Sequence, residues 1–84
     1  MAEELIGTVT HYFGNIHVAA IRLEAELRKG DQIRIAGHTS DFTQEVGSMQ
    51  LDRQDIEAGR KGQEIAIKVR EHARVHDKVY RVTA

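Results

Sequence analysis

The feature that most constrains this chain is a turn that opens directly onto a short alternating strand, over residues 27–37. Gly30 can take the positive φ that a tight reversal needs, and Asp31 can accept hydrogen bonds from the neighbouring backbone. Beyond the turn, Ile33 and Ile35 fall on one face of the strand, whereas Arg34 falls on the other. A period of two is typical of a strand that is buried on one face only. The pattern therefore predicts a sheet with one solvated face.

Further runs of the same character predict five more strands, and the clearest of them places Ile65 and Ile67 on its inward face. The six predicted strands cover residues 5–13, 16–24, 31–37, 42–51, 64–70 and 78–82. Gly14 and Asn15 supply a two-residue hairpin turn between the first two strands. The alternation of the fourth strand changes phase at Gly47, which predicts a β-bulge there. Residues 52–62 and 71–77 are predicted to be polar, exposed connections.

Residues 21–29 are the ambiguous part of the chain. Glu24 and Arg28 are good helix formers at a favourable i,i+4 spacing, so a helix is the local rival. Val18 and Ile21 are β-branched and follow a hairpin signal, which favours a strand as far as Glu24. The sequence leaves both alternatives open for residues 21–29.

The strands and their turns together predict the fold class. Six short strands, turns that contain glycine and no convincing long helix indicate an all-β fold. The 84 residues suffice for one modest core, so we expect a single domain over residues 1–84. Proline is absent, so the strand edges need protection by closure or by charge. Closure is the simpler solution, and it predicts a small closed six-stranded antiparallel β-barrel.

Several pieces of the chain resemble, in order, the second domain of translational GTPases such as elongation factor Tu, a small β-barrel. The pieces are Gly14 and Asn15, residues 27–37, residues 46–49, Ala58, Gly59, Gly62, residues 65–69 and residues 75–80. The resemblance implies a stand-alone translation elongation factor-like protein of the translation-factor domain 2 type. It would be RNA-binding and ribosome-associated, and it would dock without catalysis on the ribosome, transfer RNA or another structured RNA. His76 departs from the family's glycine, and the sequence has no Gly-Lys-Ser/Thr loop for nucleotide hydrolysis.

A similar small barrel also occurs as the C-terminal accessory domain of some collagenase-like peptidases. That likeness implies an alternative function, a protein-protein interaction module or accessory subunit. In this alternative, the basic part of the chain would meet a protein partner with an acidic face.

Charge is distributed unevenly along the chain. Residues 1–59 contain 5 Lys or Arg against 10 Asp or Glu, whereas residues 60–84 contain 7 against 3. The basic segment can attract a phosphate backbone, or it can equally be a solvated face that balances an acidic neighbour. Few aromatic residues are available for base stacking, so backbone recognition is the form of RNA contact expected. The candidate RNA-binding residues are Arg60, Lys61, Lys68, Arg70 and Arg74.

The residue types offer little catalytic or metal-binding chemistry. A two-residue turn would send His11 and His17 to opposite faces of the sheet, where they cannot share an ion. His72 and His76 have a ligand spacing only if residues 70–77 are helical. Paired carboxylates fall on predicted surfaces without an apolar pocket, and neither serine lies in a Gly-x-Ser-x-Gly elbow. We therefore expect no enzymatic activity, no cofactor, no metal and no nucleotide.

The composition indicates a cytoplasmic protein that does not associate with a membrane. No run approaches the roughly 20 apolar residues that span a bilayer. The acidic start, from Met1 to Glu4, differs from the basic start of a secretory signal. Cysteine is absent, so we expect packing and backbone pairing to hold the fold together without disulfides.

Overall fold

The computed structural model describes residues 2–83; Met1 and Ala84, which the predicted domain of residues 1–84 includes, lie outside the described residues. Within that range the chain forms ten β-strands and no helix, so the predicted all-β class is confirmed. No segment between Ala2 and Thr83 forms a helix with the length and apolar character needed to cross a bilayer. The strands are β1 (Ala2–Phe13), β2 (Val18–Leu23), β3 (Leu27–Arg28), β4 (Gln32–Ala36), β5 (Asp41–Glu45), β6 (Met49–Leu51), β7 (Gln54–Asp55), β8 (Ala58–Gly59), β9 (Glu64–Lys68) and β10 (Lys78–Thr83).

Eight of the strands form one antiparallel sheet in the order β5-β4-β10-β1-β2-β9-β6-β7, and β3 pairs separately with β8. The prediction of a closed six-stranded barrel is wrong, because the hydrogen-bonded order among residues 2–83 has two ends. The fourth predicted strand, over residues 42–51, is in fact two strands: β5 is at one end of the order and β6 is next to last at the other. β5 pairs with β4, whereas β6 pairs with β9 and β7.

Residues 46–48 connect these two ends of the sheet. Only three residues separate β5 from β6, so the sheet has to curl until its ends lie close together. Val46 stays attached to the first end, because its N–H donates to Asp31 O at 2.9 Å and its carbonyl accepts from Gly30 N at 2.8 Å. The β-bulge predicted at Gly47 is therefore wrong, since the chain changes partner there. The register shifts instead within β1, between Leu5 and Gly7 and between Val9 and His11.

The curled sheet encloses one apolar core. The predicted inward residues Ile33 and Ile35, on β4, and Ile65 and Ile67, on β9, are all buried. Leu27, below the turn at Gly30, is buried with them. The remaining buried apolar residues are Ile6, Val9, Ala19, Ile21, Leu23, Phe42, Val46, Met49, Val69, Ala73 and Val79.

The first hairpin is longer than the sequence predicts. Phe13 pairs with Val18, so the turn contains four residues rather than two, and β2 begins two residues after Ile16. His17 takes a left-handed backbone conformation, with φ of 55°, and this allows the longer reversal. Over residues 21–29 no helix forms; β2 continues to Leu23, one residue short of the predicted end at Glu24, so the strand interpretation is confirmed for residues 21–23.

The connections over residues 52–62 and 71–77 were predicted to be polar and exposed, but they contain short strands or buried residues. Residues 52–62 include both β7 and β8, and Gly59 is buried. Between β9 and β10, Ala73 and Asp77 are buried. The Asp77 carboxylate accepts a hydrogen bond from Arg74 N at 2.9 Å, which is a short-range turn contact.

Candidate functional site

The five predicted basic residues are all exposed, but they do not line one surface. Arg60 and Lys61 lie in the turn between β8 and β9, Lys68 ends β9, and Arg70 and Arg74 follow in the next connection. Lys61 lines one cleft, whereas Lys68 and Arg70 line another. The prediction that Lys68 and Arg70 share one strand is wrong, because β9 ends at Lys68. The Arg70 guanidinium donates a hydrogen bond to Thr43 O on β5 at 2.5 Å.

The first cleft, here named the cationic cleft, has a volume of about 650 Å³. Its centre is Thr8 on β1, which lies directly opposite Lys78 on β10 and opposite Arg22 on β2. Since directly opposed residues point to the same face of a sheet, two cations flank one hydroxyl. The Lys78 ammonium lies 3.5 Å from Thr8 Oγ1. The cleft is lined by Thr8, Thr10, Arg22, Leu23, Glu24, Lys61, Gly62 and Lys78.

Three cations and one carboxylate line the cationic cleft. Arg22, Lys61 and Lys78 form no ion pair with any residue from 2 to 83, whereas the chain's ion pairs engage other arginines. The sequence predicted only Lys61 as a site residue. Arg22 was missed because it lies near Lys78 only when β2 and β10 pair with opposite edges of β1 in the observed register. The local sequence does not predict that register.

The second cleft is a groove of about 490 Å³ beside Gln44. The Gln44 side chain is 7% exposed. Its Nε2 donates to Lys68 O at 2.8 Å, and its Oε1 accepts from Arg70 N at 2.9 Å. The carboxamide thus supplies one donor and one acceptor to the end of β9, as the peptide group of a neighbouring strand would. We name this contact the Gln44 seam, and it fastens β5 to the far side of the curled sheet.

An apolar patch lies on the solvent side of β1, β2 and β9 beside the first hairpin turn, and we name it the apolar outer face. Its members are Phe13, Ile16, Val18, Ala20 and Ala66, which line a depression of about 550 Å³ together with the polar side chains of Gln50, Asp52, Arg53 and Glu64. Phe13 is 43% exposed and Ile16 is 60% exposed. Ala20 lies directly opposite Ala66, and these two small side chains form the floor of the depression. The His11 ring packs on Phe13 with centroids 4.3 Å apart.

Two histidines meet at Tyr12, without forming a metal centre. The Tyr12 hydroxyl is 3.4 Å from His17 Nδ1, and its ring lies 4.4 Å from the His72 ring. His11 lies instead beside Phe13. No group of three or more His, Cys, Asp or Glu residues suited to a metal ion occurs in the described part of the chain.

Ion pairs lie on the solvent face of the sheet at β1, β4, β5 and β10. The Arg34 guanidinium donates to both carboxylate oxygens of Asp41 at 2.8 Å and to Glu3 at 3.1 Å. These hydrogen bonds lower the pKa of Asp41 and raise the pKa of Arg34. Arg81 donates to Glu4 at 2.7 Å, which raises the pKa of Arg81. These ion pairs connect β1 to β4, β5 and β10.

Comparison with known proteins gives relatives among proteases. No family model matches the chain. It is 37% identical over 76 residues to an uncharacterised protease of Methanocaldococcus jannaschii. That match covers 89% of this chain and 19% of that protein. It is also 38% identical over 78 residues to a collagenase of Porphyromonas gingivalis. That match covers 90% of this chain and 22% of that protein. The chain therefore spans about a fifth of the length of the curated relatives it matches.

Two solved structures have the same fold. Both are of the C-terminal domain of a Geobacillus thermoleovorans protein assigned to the U32 peptidases. One superposes with a TM-score of 0.89 at 20% identity, over 95% of this chain and 93% of that one. The other, a selenomethionine variant, gives a TM-score of 0.86 at 22% identity, over 90% of this chain and 96% of that one.

These comparisons correct the translation-factor resemblance. The prediction of an elongation factor-like, RNA-binding and ribosome-associated protein is wrong, because the matching proteins are a protease and collagenases. The resemblance misled because its glycine turns and alternating strands recur in small antiparallel sheets in general, whatever their family. The chain has the fold of a U32 peptidase C-terminal domain, and its sequence is similar to about one fifth of proteins named as a protease or a collagenase.

Proposed function

We propose that this chain is a non-catalytic accessory module that serves a U32-type peptidase by protein-protein contact. The observation that carries the proposal is the extent of the similarity, which covers about nine tenths of this chain and only about a fifth of each protease relative. About four fifths of each relative thus lie outside the matched segment, where a peptidase active site can be accommodated. The module would bind the rest of the peptidase and hold it beside a polypeptide substrate.

The apolar outer face is the proposed contact with the rest of the peptidase. The solvated side of an antiparallel sheet ordinarily carries polar residues, but here Val18, Ala20 and Ala66 occupy it beside the exposed Phe13 and Ile16. In the relatives the matched segment belongs to the same polypeptide as the remaining four fifths. The part of a peptidase that lies outside the matched segment is therefore the proposed partner of the apolar outer face. Burying apolar area there contributes about 25 cal/mol per Å².

Affinity purification from the native host tests this function. Tagged wild-type chain is expected to recover a U32-type peptidase that persists after nuclease treatment. The double variant Phe13→Ser/Ile16→Ser is expected to lose it, because both exposed anchors of the apolar outer face are gone. Val75→Ser is the matched control, since Val75 is 47% exposed but lies outside that face. Absence of any peptidase with the wild-type chain, or equal recovery by the double variant, would contradict the proposal.

A further inference from the structure

We propose that the cationic cleft binds acidic side chains of an extended polypeptide. The inference rests on the proposed accessory function, which it deepens by naming the chemistry of a second ligand. The cleft is a concavity lined by three cations and two threonine residues, Thr8 and Thr10, with one carboxylate, Glu24. An aspartate or glutamate carboxylate can accept from an ammonium, a guanidinium and a hydroxyl at once, which is how charge-assisted contacts gain geometric specificity.

The cations of the cleft are available to an external anion. Arg34 and Arg81 are committed to carboxylates of this chain at 2.7–3.1 Å. Arg22, Lys61 and Lys78 have no such partner within residues 2–83, and they approach from three separate elements. The strand register fixes the backbone positions of Arg22 and Lys78 on either side of Thr8, so the spacing of these two positions is set by the sheet and does not depend on a loop. Because the backbone of the site is already ordered, only side chains have to be ordered when a ligand binds.

Discrete carboxylates fit the cleft better than a continuous phosphate backbone. Glu24 lines the cleft, and Glu64 lies beside it, directly opposite Arg22 on the neighbouring strand, where its carboxylate accepts a hydrogen bond from Thr10 Oγ1 at 2.5 Å. Those two negative charges repel a ligand with many closely spaced anionic groups more strongly than a ligand with separate single carboxylates. No aromatic residue is among those that line the cleft, so it offers no platform for base stacking.

Fluorescence anisotropy with a defined peptide tests the cleft. The probe is a fluorescein-labelled hexapeptide of alternating glutamate and glycine, amidated at its C-terminus so that the carboxylates of the peptide itself are all side-chain groups; every probe carries the same label, whose own charge is therefore constant. We expect the wild-type chain to bind it, with an affinity that falls as salt is raised from about 20 to 200 mM because the contacts are exposed and screened. The matched peptide with glutamine in place of glutamate is expected not to bind.

Two variants of equal charge change locate the binding. Lys61→Gln/Lys78→Gln should weaken binding of the glutamate peptide about tenfold, because two exposed charge contacts are removed. Lys29→Gln/Lys68→Gln removes two exposed lysines outside the cleft and should leave the affinity within about twofold. Equal loss in both variants, equal binding of the glutamine peptide, or tighter binding of a labelled hexauridylate than of the glutamate peptide would overturn the inference.

The outcome separates this inference from the accessory function. If the cleft variant loses the peptide but still recovers the peptidase from the host, both proposals are supported. If wild-type chain recovers the peptidase but does not bind the glutamate peptide, only the cleft inference fails. If it binds the peptide in the cleft but recovers no peptidase, the acidic ligand stands and the accessory function fails.

Discussion

Position 37 requires glycine, because the buried carboxylate of Asp77 occupies the space that a side chain there would fill. A Cβ at this position would lie 1.9 Å from Asp77 Oδ1 and 2.6 Å from Asp77 Cγ. Asp77 is 4% exposed, and its other oxygen is held by Arg74 N. The carboxylate therefore cannot swing into solvent without losing that hydrogen bond.

We accordingly expect Gly37→Ala to destabilise the fold by about 1–3 kcal/mol, since overpacking displaces a buried, hydrogen-bonded group. Gly47→Ala is the control, because a Cβ there meets no heavy atom within 4 Å and Gly47 lies outside the left-handed region. That substitution should be neutral or stabilising by about 0.4–1 kcal/mol. Urea denaturation measures both variants, and equal losses would contradict the close approach of residues 37 and 77.

Sequence reasoning succeeds for residues whose surroundings are set by local alternation. Ile33, Ile35, Ile65 and Ile67 were assigned to the core from a period of two, and all four are buried. Asp77 could not be assigned in this way. Its burial depends on the contact with Gly37, a residue 40 positions away, and a polar residue in a charged stretch gives no sign of that contact.

At the scale of elements, the Gln44 seam joins two strands by a side chain. Gln44→Ala would leave Arg70 N–H without its acceptor and Lys68 C=O without its side-chain donor. An unsatisfied buried donor or acceptor costs about 1–3 kcal/mol, so the variant should lose stability by that order. Hydrogen exchange at the Arg70 amide should also become faster.

Thr43→Ala is the control for the seam, because the Thr43 side chain is exposed on the same strand and only its backbone carbonyl contacts Arg70. It should change the free energy of unfolding by no more than about 0.5 kcal/mol. If the Arg70 amide exchanges at the same rate in Gln44→Ala as in the parent, the carboxamide does not fasten β5 to β9.

The same region marks the limit of prediction for elements. Residues 42–51 alternate nearly throughout, so the sequence predicts one bent strand. Pairing decides otherwise, since β5 belongs to β4 and β6 belongs to β9. Strand pairing depends on tertiary register, which local pattern does not encode. The Gln44 seam arises from that pairing, whereas the cationic cleft and the apolar outer face arise from the pairing among β1, β2, β9 and β10. Because every one of these features depends on register, the candidate site was predicted far less completely than the strands.

At the scale of the whole molecule, an ion-pair network around Arg34 joins the N-terminal strand to two strands from the middle of the chain. Glu3 on β1 and Asp41 on β5 both contact Arg34 on β4. The pKa of Asp41 is lowered below its ordinary value of 3.8, first by the Arg34 hydrogen bond. A lowered pKa in the folded state means that the charged pair stabilises the fold above about pH 4, and that this stabilisation is lost as pH falls through the lowered pKa.

We therefore expect Asp41→Asn to flatten the loss of stability as pH falls below the ordinary carboxyl pKa of about 4, by an amount that is small because the pair is exposed. Denaturation at several pH values, at low and at high salt, measures the slope. Asp52→Asn is the control, since Asp52 lies in the exposed turn between β6 and β7 and forms no ion pair with another residue of the described range. An unchanged slope in Asp41→Asn would contradict this role for the network.

The pairing of β1 with β10 also determines how the molecule bears mechanical load. Ala2 lies opposite Thr83, at the same end of two antiparallel strands in the interior of the sheet. A force that pulls these two residues apart acts across the ladder, so its hydrogen bonds open one after another instead of resisting together in shear. Held by both ends, the molecule would therefore unzip from the centre of its sheet outward, at a lower force than a sheet pulled along its strands.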